Sequence, residues 1–245
     1  MNKTLLIAMS LFACLNITAQ KIDTLLVEPG SKYIDGSFLK NYTNKWKVSF
    51  IDLQGKKTPN KVWTDYGEMV ELGGKTYFHR VQDIYSPDLV HIDTWVNMVE
   101  KSTLKPWQFY STNASGSNTF YQFSDTELVI NSNKNEEKVQ KSDTISLKKP
   151  VFDWNLYGML LVGLPLEKEA IYKFPYYDAN TKKLAYLVAT IEGEEEVINA
   201  NEKRIKTWKI KCSDGLVFWV TKAAPYVIQL ELPVPERGKL FWNSY

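Results

Sequence analysis

The sequence has 245 residues, of which 30 are basic and 28 acidic, so its formal net charge is +2. Three of the basic residues are arginines, the side chains that bind phosphates and guanine edges through paired hydrogen bonds. A nearly neutral chain whose positive charge comes mainly from lysine is not expected to bind nucleic acid.

The first twenty residues predict a secretory signal peptide. Lys3 supplies the positive charge, residues 5–15 form a short apolar run, and Ala19-Gln20 suits a signal-peptidase site. The run is shorter than the roughly 20 apolar residues that a membrane-spanning helix needs, so no transmembrane span is expected in the mature chain. We therefore expect residues 1–19 to be a signal peptide, cleaved after Ala19 or Gln20, and the protein to be periplasmic or secreted.

The same segment offers an alternative interpretation as a lipobox. Residues 11–14, Leu-Phe-Ala-Cys, resemble the motif whose cysteine is acylated in bacterial lipoproteins, and Cys14 would then carry a lipid anchor. Phe12 stands where such motifs have a small or β-branched residue, which makes cleavage the preferred prediction. Cys212 is then the single cysteine of the mature chain, so no intrachain disulfide forms, and its apolar strand face predicts a buried thiol.

The rest of the chain, residues 20–245, predicts a single β-rich domain, with a seam near residues 148–153 as a candidate boundary. Gly73-Gly74 and Asp214-Gly215 each predict a tight hairpin, the second with a type I′ turn. The polar residues 131–135 predict a loop or hairpin tip, and Pro233 and Pro235 are predicted to end the sheet. The predicted strands are 45–54, 62–72, 75–84, 90–100, 107–111, 119–124, 127–132, 170–177, 183–192, 194–199, 205–213, 216–221 and 226–232.

One short helix interrupts the strands. Residues 153–161 have apolar side chains at helical spacing, and Asp153 is a suitable N-cap because its carboxylate can accept hydrogen bonds from the first amides. Gly163 and Pro165 are expected to end the helix. The apolar face consists of Trp154, Tyr157, Leu160 and Leu161.

The pattern as a whole predicts a mainly β fold. About a dozen antiparallel strands must twist and curl, so we expect a large curved antiparallel sheet or an open or half barrel. The short helix is expected to plug the concave side of this sheet.

The apolar helix face leaves two interpretations open. It either fills the core or lines an apolar cavity between helix and sheet, and such cavities are the usual sites for lipophilic ligands. In the second case the predicted ligand-binding residues are Trp154, Tyr157, Leu160, Leu161, Trp208 and Trp219.

No motif predicts catalytic residues, a metal site or a cofactor. His79 and His91 lie in predicted strands without metal-ligand spacing, and a shared face of His91 and Asp93 is interpreted as a surface pair. Glu192, Glu194 and Glu196 are expected to form a solvated, charged hairpin tip rather than a glycosidase carboxylate pair.

The second half of the chain resembles the domain of unknown function 3108 family. The resemblance begins in the helix, with Asp153-Trp154 through Tyr157, and continues in Leu164-Pro165-Leu166. It extends over four later segments: Tyr186 to Val197, Thr207-Trp208-Lys209-Ile210, Phe218-Trp219-Val220-Thr221 and Pro225-Tyr226-Val227-Ile228. It implies an exported, curved antiparallel sheet, similar in shape to the half-barrels of lipoprotein carriers, and it implies no catalytic residues.

Three functional hypotheses follow. The first is a non-enzymatic cell-envelope protein that binds a lipophilic ligand or another envelope component. The second is an extracellular glycan-binding module or glycan-active enzyme, for which Trp63, Trp95 and Trp107 should form an exposed row. The third is a purely structural or assembly role without a small ligand.

Overall fold

The computed structural model describes residues 23–134, 139–178 and 181–245. The predicted signal peptide and Cys14 therefore lie outside the described residues. Fifteen strands and one α-helix occur in the described part of the chain. The strands are β1 (Thr24–Leu26), β2 (Tyr42–Asp52), β3 (Lys57–Leu72), β4 (Lys75–Tyr85), β5 (His91–Glu100), β6 (Pro106–Asn113), β7 (Asn118–Phe123), β8 (Glu127–Lys134), β9 (Val139–Ser146), β10 (Ile171–Asp178), β11 (Lys183–Ile198), β12 (Arg204–Cys212), β13 (Val217–Val220), β14 (Val227–Val234) and β15 (Gly238–Ser244), and the helix is α1 (Tyr157–Gly163).

All fifteen strands belong to one sheet with the order β1-β10-β11-β12-β13-β14-β15-β2-β3-β4-β5-β6-β7-β8-β9. Two antiparallel meanders, β2 to β9 and β10 to β15, are joined where β15 pairs with β2. β1 adds a parallel edge strand next to β10. The sheet curls around a core that contains the helix, and it stays open between β9 and β1. The predicted fold class, a large open sheet of barrel-like shape with one short helix, is confirmed.

The predicted glycine hairpin is confirmed. Gly73 and Gly74 have φ angles of 59° and 75°, and Leu72 pairs with Lys75. The second hairpin is also present, but its predicted turn type is wrong. Gly215 has a φ of 89° while Asp214 does not share a positive φ, so the turn is not type I′, which needs two such residues.

Three other sequence predictions are wrong in detail. In the segment predicted as a loop or hairpin tip, residues 131–135, strand β8 continues as far as Lys134, and residue 135 lies outside the described residues. The two strands predicted for residues 183–192 and 194–199 form the single strand β11, which ends at Ile198, because a bulge between Ile191 and Gly193 absorbs the glycine without ending the strand. Pro233 does not end the sheet; it lies within β14 and pairs with Lys239 of β15.

The predicted helix is confirmed, with a single 3-10 turn, Trp154–Leu156, before α1. Oδ1 of Asp153 accepts a hydrogen bond from the amide of Asn155 (3.0 Å), as an N-cap does. The expected one-sided apolar face is wrong, because every residue of α1 is buried whereas Trp154 is 49% exposed. A Cβ on Gly158 would lie 2.7 Å from Cγ2 of Val227, so the helix packs directly against β14. None of the described helices is long and apolar enough to cross a membrane.

The C-terminal end of α1 is enclosed by the segment 27–41, whose residues Val27, Ile34 and Leu39 are buried. The amide of Asp35 donates a hydrogen bond to the carbonyl of Gly163 (3.0 Å). The ammonium group of Lys222 donates to the carbonyl oxygens of Val162 and Leu164, the latter at 2.8 Å. These contacts satisfy helix carbonyls that would otherwise lack partners and close this end of the barrel.

A buried ion pair crosses the inner face of β3 and β4. Nε and Nη2 of Arg80 donate to the carboxylate of Asp65 at 2.9 and 2.6 Å, and both side chains are almost completely buried. The hydroxyl of Tyr42 also donates to Asp65 (2.9 Å). The fit of these donors to one carboxylate offsets the cost of burying both charges.

Candidate functional site

An aromatic groove lies where the 3-10 turn meets strands β5, β6, β7 and β10. Its volume is about 240 Å³, and it opens to solvent. Trp154 lies at its edge, half exposed. The lining residues are Trp95, Phe109, Ser111, Thr119, Tyr121, Trp154, Asn155, Tyr176, Tyr177 and Asp178.

A narrower apolar cleft continues from the groove towards the core. The two share Phe109, Tyr121, Trp154 and Tyr177, and the cleft holds about 10 Å³, room for no more than about one water molecule. The additional residues that line the cleft are Phe123, Leu128, Phe152 and Asp153. A ligand in the groove would therefore contact aromatic rings and Asp178, whereas the buried side chain of Asp153 lines the cleft only.

Strand register brings the groove residues together. Trp95 pairs with Ser111, Ser111 pairs with Thr119, and Phe109 pairs with Tyr121, so these side chains lie on one face of the sheet. The opposite wall comes from β10, far along the sequence. The amide of Phe152 donates to the carbonyl of Pro175 (2.8 Å), which fixes the start of the 3-10 turn against β10.

Four tryptophans extend from the core to the groove. The ring centroids of Trp242 and Trp63 are 5.8 Å apart, those of Trp63 and Trp95 are 5.2 Å apart, and those of Trp95 and Trp154 are 6.4 Å apart. The first two pairs are edge-to-face, and the third pair is tilted by 59°. These are favourable aromatic geometries, and they hold Trp95 in place beside the exposed ring of Trp154.

Asp153 is the buried carboxylate that lines the cleft. Burial raises the pKa of this carboxyl group to about 6. The hydrogen bonds that it accepts from Asn155 and Asn97 and the positive charge of Arg80 lower the pKa, but they do not cancel the effect of burial. Nδ2 of Asn97 donates to Oδ2 of Asp153 at 2.5 Å, while Oδ1 of Asn97 is buried without a hydrogen-bond partner. At neutral pH the carboxylate is therefore mostly ionised, in a setting that only partly compensates its charge.

The structure does not bring the six predicted ligand-binding residues together. Trp154 lines the groove, whereas Tyr157, Leu160 and Leu161 are buried in the core, and Trp208 packs partly buried against the same core. Trp219 pairs with Lys209, the neighbour of Trp208, and so lies on the other face of the sheet.

Trp219 belongs to a separate apolar cluster with Val197 and Ile228, and its Nε1 donates to Glu195 (3.0 Å). It therefore cannot line a cavity between helix and sheet. Sequence reasoning missed Tyr121, Tyr176 and Tyr177 as groove residues, and it named Trp95 only for a glycan site. Their alternation within strands was visible, but no local signal indicated that β7 faces β10.

The other candidate residues have ordinary surface partners. Nδ1 of His79 lies 3.1 Å from Glu68, and His91 contacts Thr94 (3.0 Å) instead of forming the expected pair with Asp93. Within the described ranges no group of three His, Cys, Asp or Glu residues could hold a metal ion.

The glutamates predicted at a hairpin tip lie within β11 instead. Glu192 forms ion pairs with Lys211 (2.5 Å) and Lys209 (3.5 Å), and the first of these lowers its pKa. Cys212 is buried, and desolvation raises the pKa of its thiol.

Comparison with known proteins gives a family and one similar structure. The family model for DUF3108, described as a protein of unknown function, matches residues 45–240 and so extends well beyond the second half of the chain. A crystal structure of a β-barrel-like protein of the domain of unknown function DUF1849 from Brucella abortus is similar, with 10% sequence identity and a TM-score of 0.49 over 84% of this chain and 96% of that one. No curated protein matches the sequence. The chain belongs to the DUF3108 family.

Proposed function

We propose that this protein is a non-enzymatic binding protein, exported to the cell envelope, that holds a lipophilic ligand or the apolar part of another envelope component in the aromatic groove. The observation that carries the proposal is the half-exposed ring of Trp154 at the edge of a groove walled by other aromatic rings. Concave sites that combine aromatic rings with a few polar side chains are where small molecules usually bind proteins.

The position of the helix supports the groove as the site rather than a cavity beneath α1. The helix is buried on all sides, and it is in close contact with β14 at Gly158. Tyr157, Leu160 and Leu161 stabilise this packing and do not line the groove. A ligand is therefore expected at the groove end of the barrel, next to the 3-10 turn, and not under the helix.

The arrangement of tryptophans gives less support to the glycan-binding alternative. The expected row of Trp63, Trp95 and Trp107 is not formed, because Trp107 contacts Tyr77 (ring centroids 5.1 Å apart) in a separate depression with Lys75 and Glu100. Trp63 and Trp95 are perpendicular rather than coplanar, so they do not offer a flat platform for successive sugar rings.

Binding of N-phenyl-1-naphthylamine, whose fluorescence rises in apolar surroundings, tests the proposal. The wild-type protein is compared with Trp154→Ala and with the matched control Trp107→Ala, which removes a tryptophan outside the groove. We expect saturable binding that Trp154→Ala weakens about tenfold, since a large apolar contact is lost, and that Trp107→Ala leaves unchanged. Failure to bind, or an equal effect of both substitutions, would contradict the proposal.

A further inference from the structure

We infer that the ligand of the groove is a small organic cation, in which a quaternary or methylated ammonium group lies against the aromatic walls. This inference rests on the proposed function and specifies the chemical class of its ligand. We infer a cation rather than a neutral molecule because both the aromatic faces and the charged groups around the groove favour positive charge.

The walls of the groove are suited to a weakly hydrated cation. Trp95 and Trp154 both line the groove, with ring centroids 6.4 Å apart and ring planes inclined at 59°. Tyr121, Tyr176 and Tyr177 line the groove with them. A cation near the face of an aromatic ring is attracted by the ring quadrupole, most strongly by tryptophan. A quaternary ammonium group needs no hydrogen-bond acceptors and gains this attraction without losing strong hydration.

The charged groups that line the groove and its cleft are acidic. Asp178 lines the groove, where it accepts a hydrogen bond from Thr181 (2.7 Å), and Asp153 lies at the base of the cleft. No lysine or arginine is among the described residues that line either space. Arg80, the buried cation whose charge acts on Asp153, is engaged by the carboxylate of Asp65 through two hydrogen bonds.

Burial strengthens the influence of Asp153 on this site. Its side chain is 3% exposed, so solvent screens its charge poorly, and its charge-bearing oxygens have two hydrogen-bond donors, the Asn97 amide and the Asn155 backbone amide. A cation in the groove would supply a further compensating charge across the cleft. Complementarity between an incompletely compensated carboxylate and a bound cation favours the cation over a neutral molecule of the same shape.

Isothermal titration with two soluble probes tests the inference. Choline and 3,3-dimethylbutan-1-ol have the same shape, but the first has a quaternary nitrogen where the second has a carbon. We expect the protein to bind choline at least about tenfold more tightly than the alcohol. Trp154→Leu keeps an apolar contact but removes the ring face, and Asp153→Asn removes the charge, so each should reduce this preference several-fold. Asp88→Asn, an exposed aspartate in the turn between β4 and β5, is the matched control and should retain it.

The outcomes separate the inference from the proposed function. Equal affinity for both probes would overturn the cation inference while binding of N-phenyl-1-naphthylamine would still support a lipophilic site. A preference for choline that survives both Trp154→Leu and Asp153→Asn would place the cation elsewhere and overturn the inference as well. Thermal melting of each variant verifies that a lost preference does not come from unfolding.

Discussion

Replacing Asp153 by asparagine should change how the stability of the protein depends on pH. The folded state keeps a proton on this carboxyl group until about pH 6, while an ordinary aspartate releases it near 3.8. Because the folded state binds the proton more tightly, stability is greatest below the lower value and falls as the pH rises towards the higher one. Well above pH 6, ionised Asp153 lowers the free energy of unfolding by about 3 kcal/mol relative to the protonated form that prevails at low pH.

The structure indicates that the substitution is tolerated. Asparagine is also a good N-cap, so it can accept the hydrogen bond from the amide of Asn155. Oδ1 of Asn97 has no partner, and rotation of that amide would let it accept a hydrogen bond from the new side chain. The variant therefore keeps the geometry of the turn and loses the buried charge.

Urea unfolding of the wild-type and Asp153→Asn proteins at several pH values from 4.5 to 7.5 gives the measurement. The free energy of unfolding of the variant should rise relative to that of the wild type by about 2 kcal/mol across this range, since part of the total effect falls below pH 4.5. Asp88→Asn serves as the control and should follow the wild type. A difference between variant and wild type that stays constant with pH would refute the account of Asp153 as a buried, poorly compensated carboxylate.

Three further predictions concern the ion pair, the thiol and the N-terminus. Arg80→Met should lower the free energy of unfolding by about 3–5 kcal/mol because it leaves Asp65 buried without its partner. In the same urea assay, the double variant that also carries Asp65→Leu should recover most of this loss. Equal instability of the single and double variants would contradict this prediction. Cys212 should react with Ellman's reagent only under denaturing conditions, since it is buried and burial raises the pKa of its thiol, and rapid reaction of the native protein would contradict this. Intact-mass measurement of the protein from its own cell should find a mature chain that starts after Ala19 or Gln20, whereas an acylated Cys14 would show that the lipobox interpretation is right.

Local signals in the sequence predicted much of the fold. Gly73-Gly74 predicted a hairpin because both residues adopt a positive φ. Asp153 predicted the start of the helix because its carboxylate accepts a hydrogen bond from a backbone amide. The number and alternation of strands led to the curved, open sheet. These features depend on neighbours within a few residues, so the sequence alone reveals them.

The features that the sequence did not predict depend on long-range pairing. The short edge strand β1 forms only against β10, and β15 pairs with β2 across most of the chain. The bulge in β11 made one long strand look like two.

The candidate site was harder to predict for the same reason. Its walls include residues more than fifty positions apart in the sequence, such as Tyr121 and Tyr176. The face to which Trp219 points is set by its register with Lys209. Apolar character predicted that tryptophans matter, but not which of them share a groove. Only the curling of the sheet places Tyr121 near Tyr177.

Ligand binding in the aromatic groove can be followed in the indole N–H resonances of the eight tryptophans in a ¹H–¹⁵N spectrum. The resonances are assigned by single substitutions and followed while choline, and separately 3,3-dimethylbutan-1-ol, is added. Binding in the groove predicts saturable shifts of Trp95 and Trp154, with Trp107 and Trp219 unchanged. Shifts confined to Trp107 or Trp219, or no shift with either probe, would contradict it.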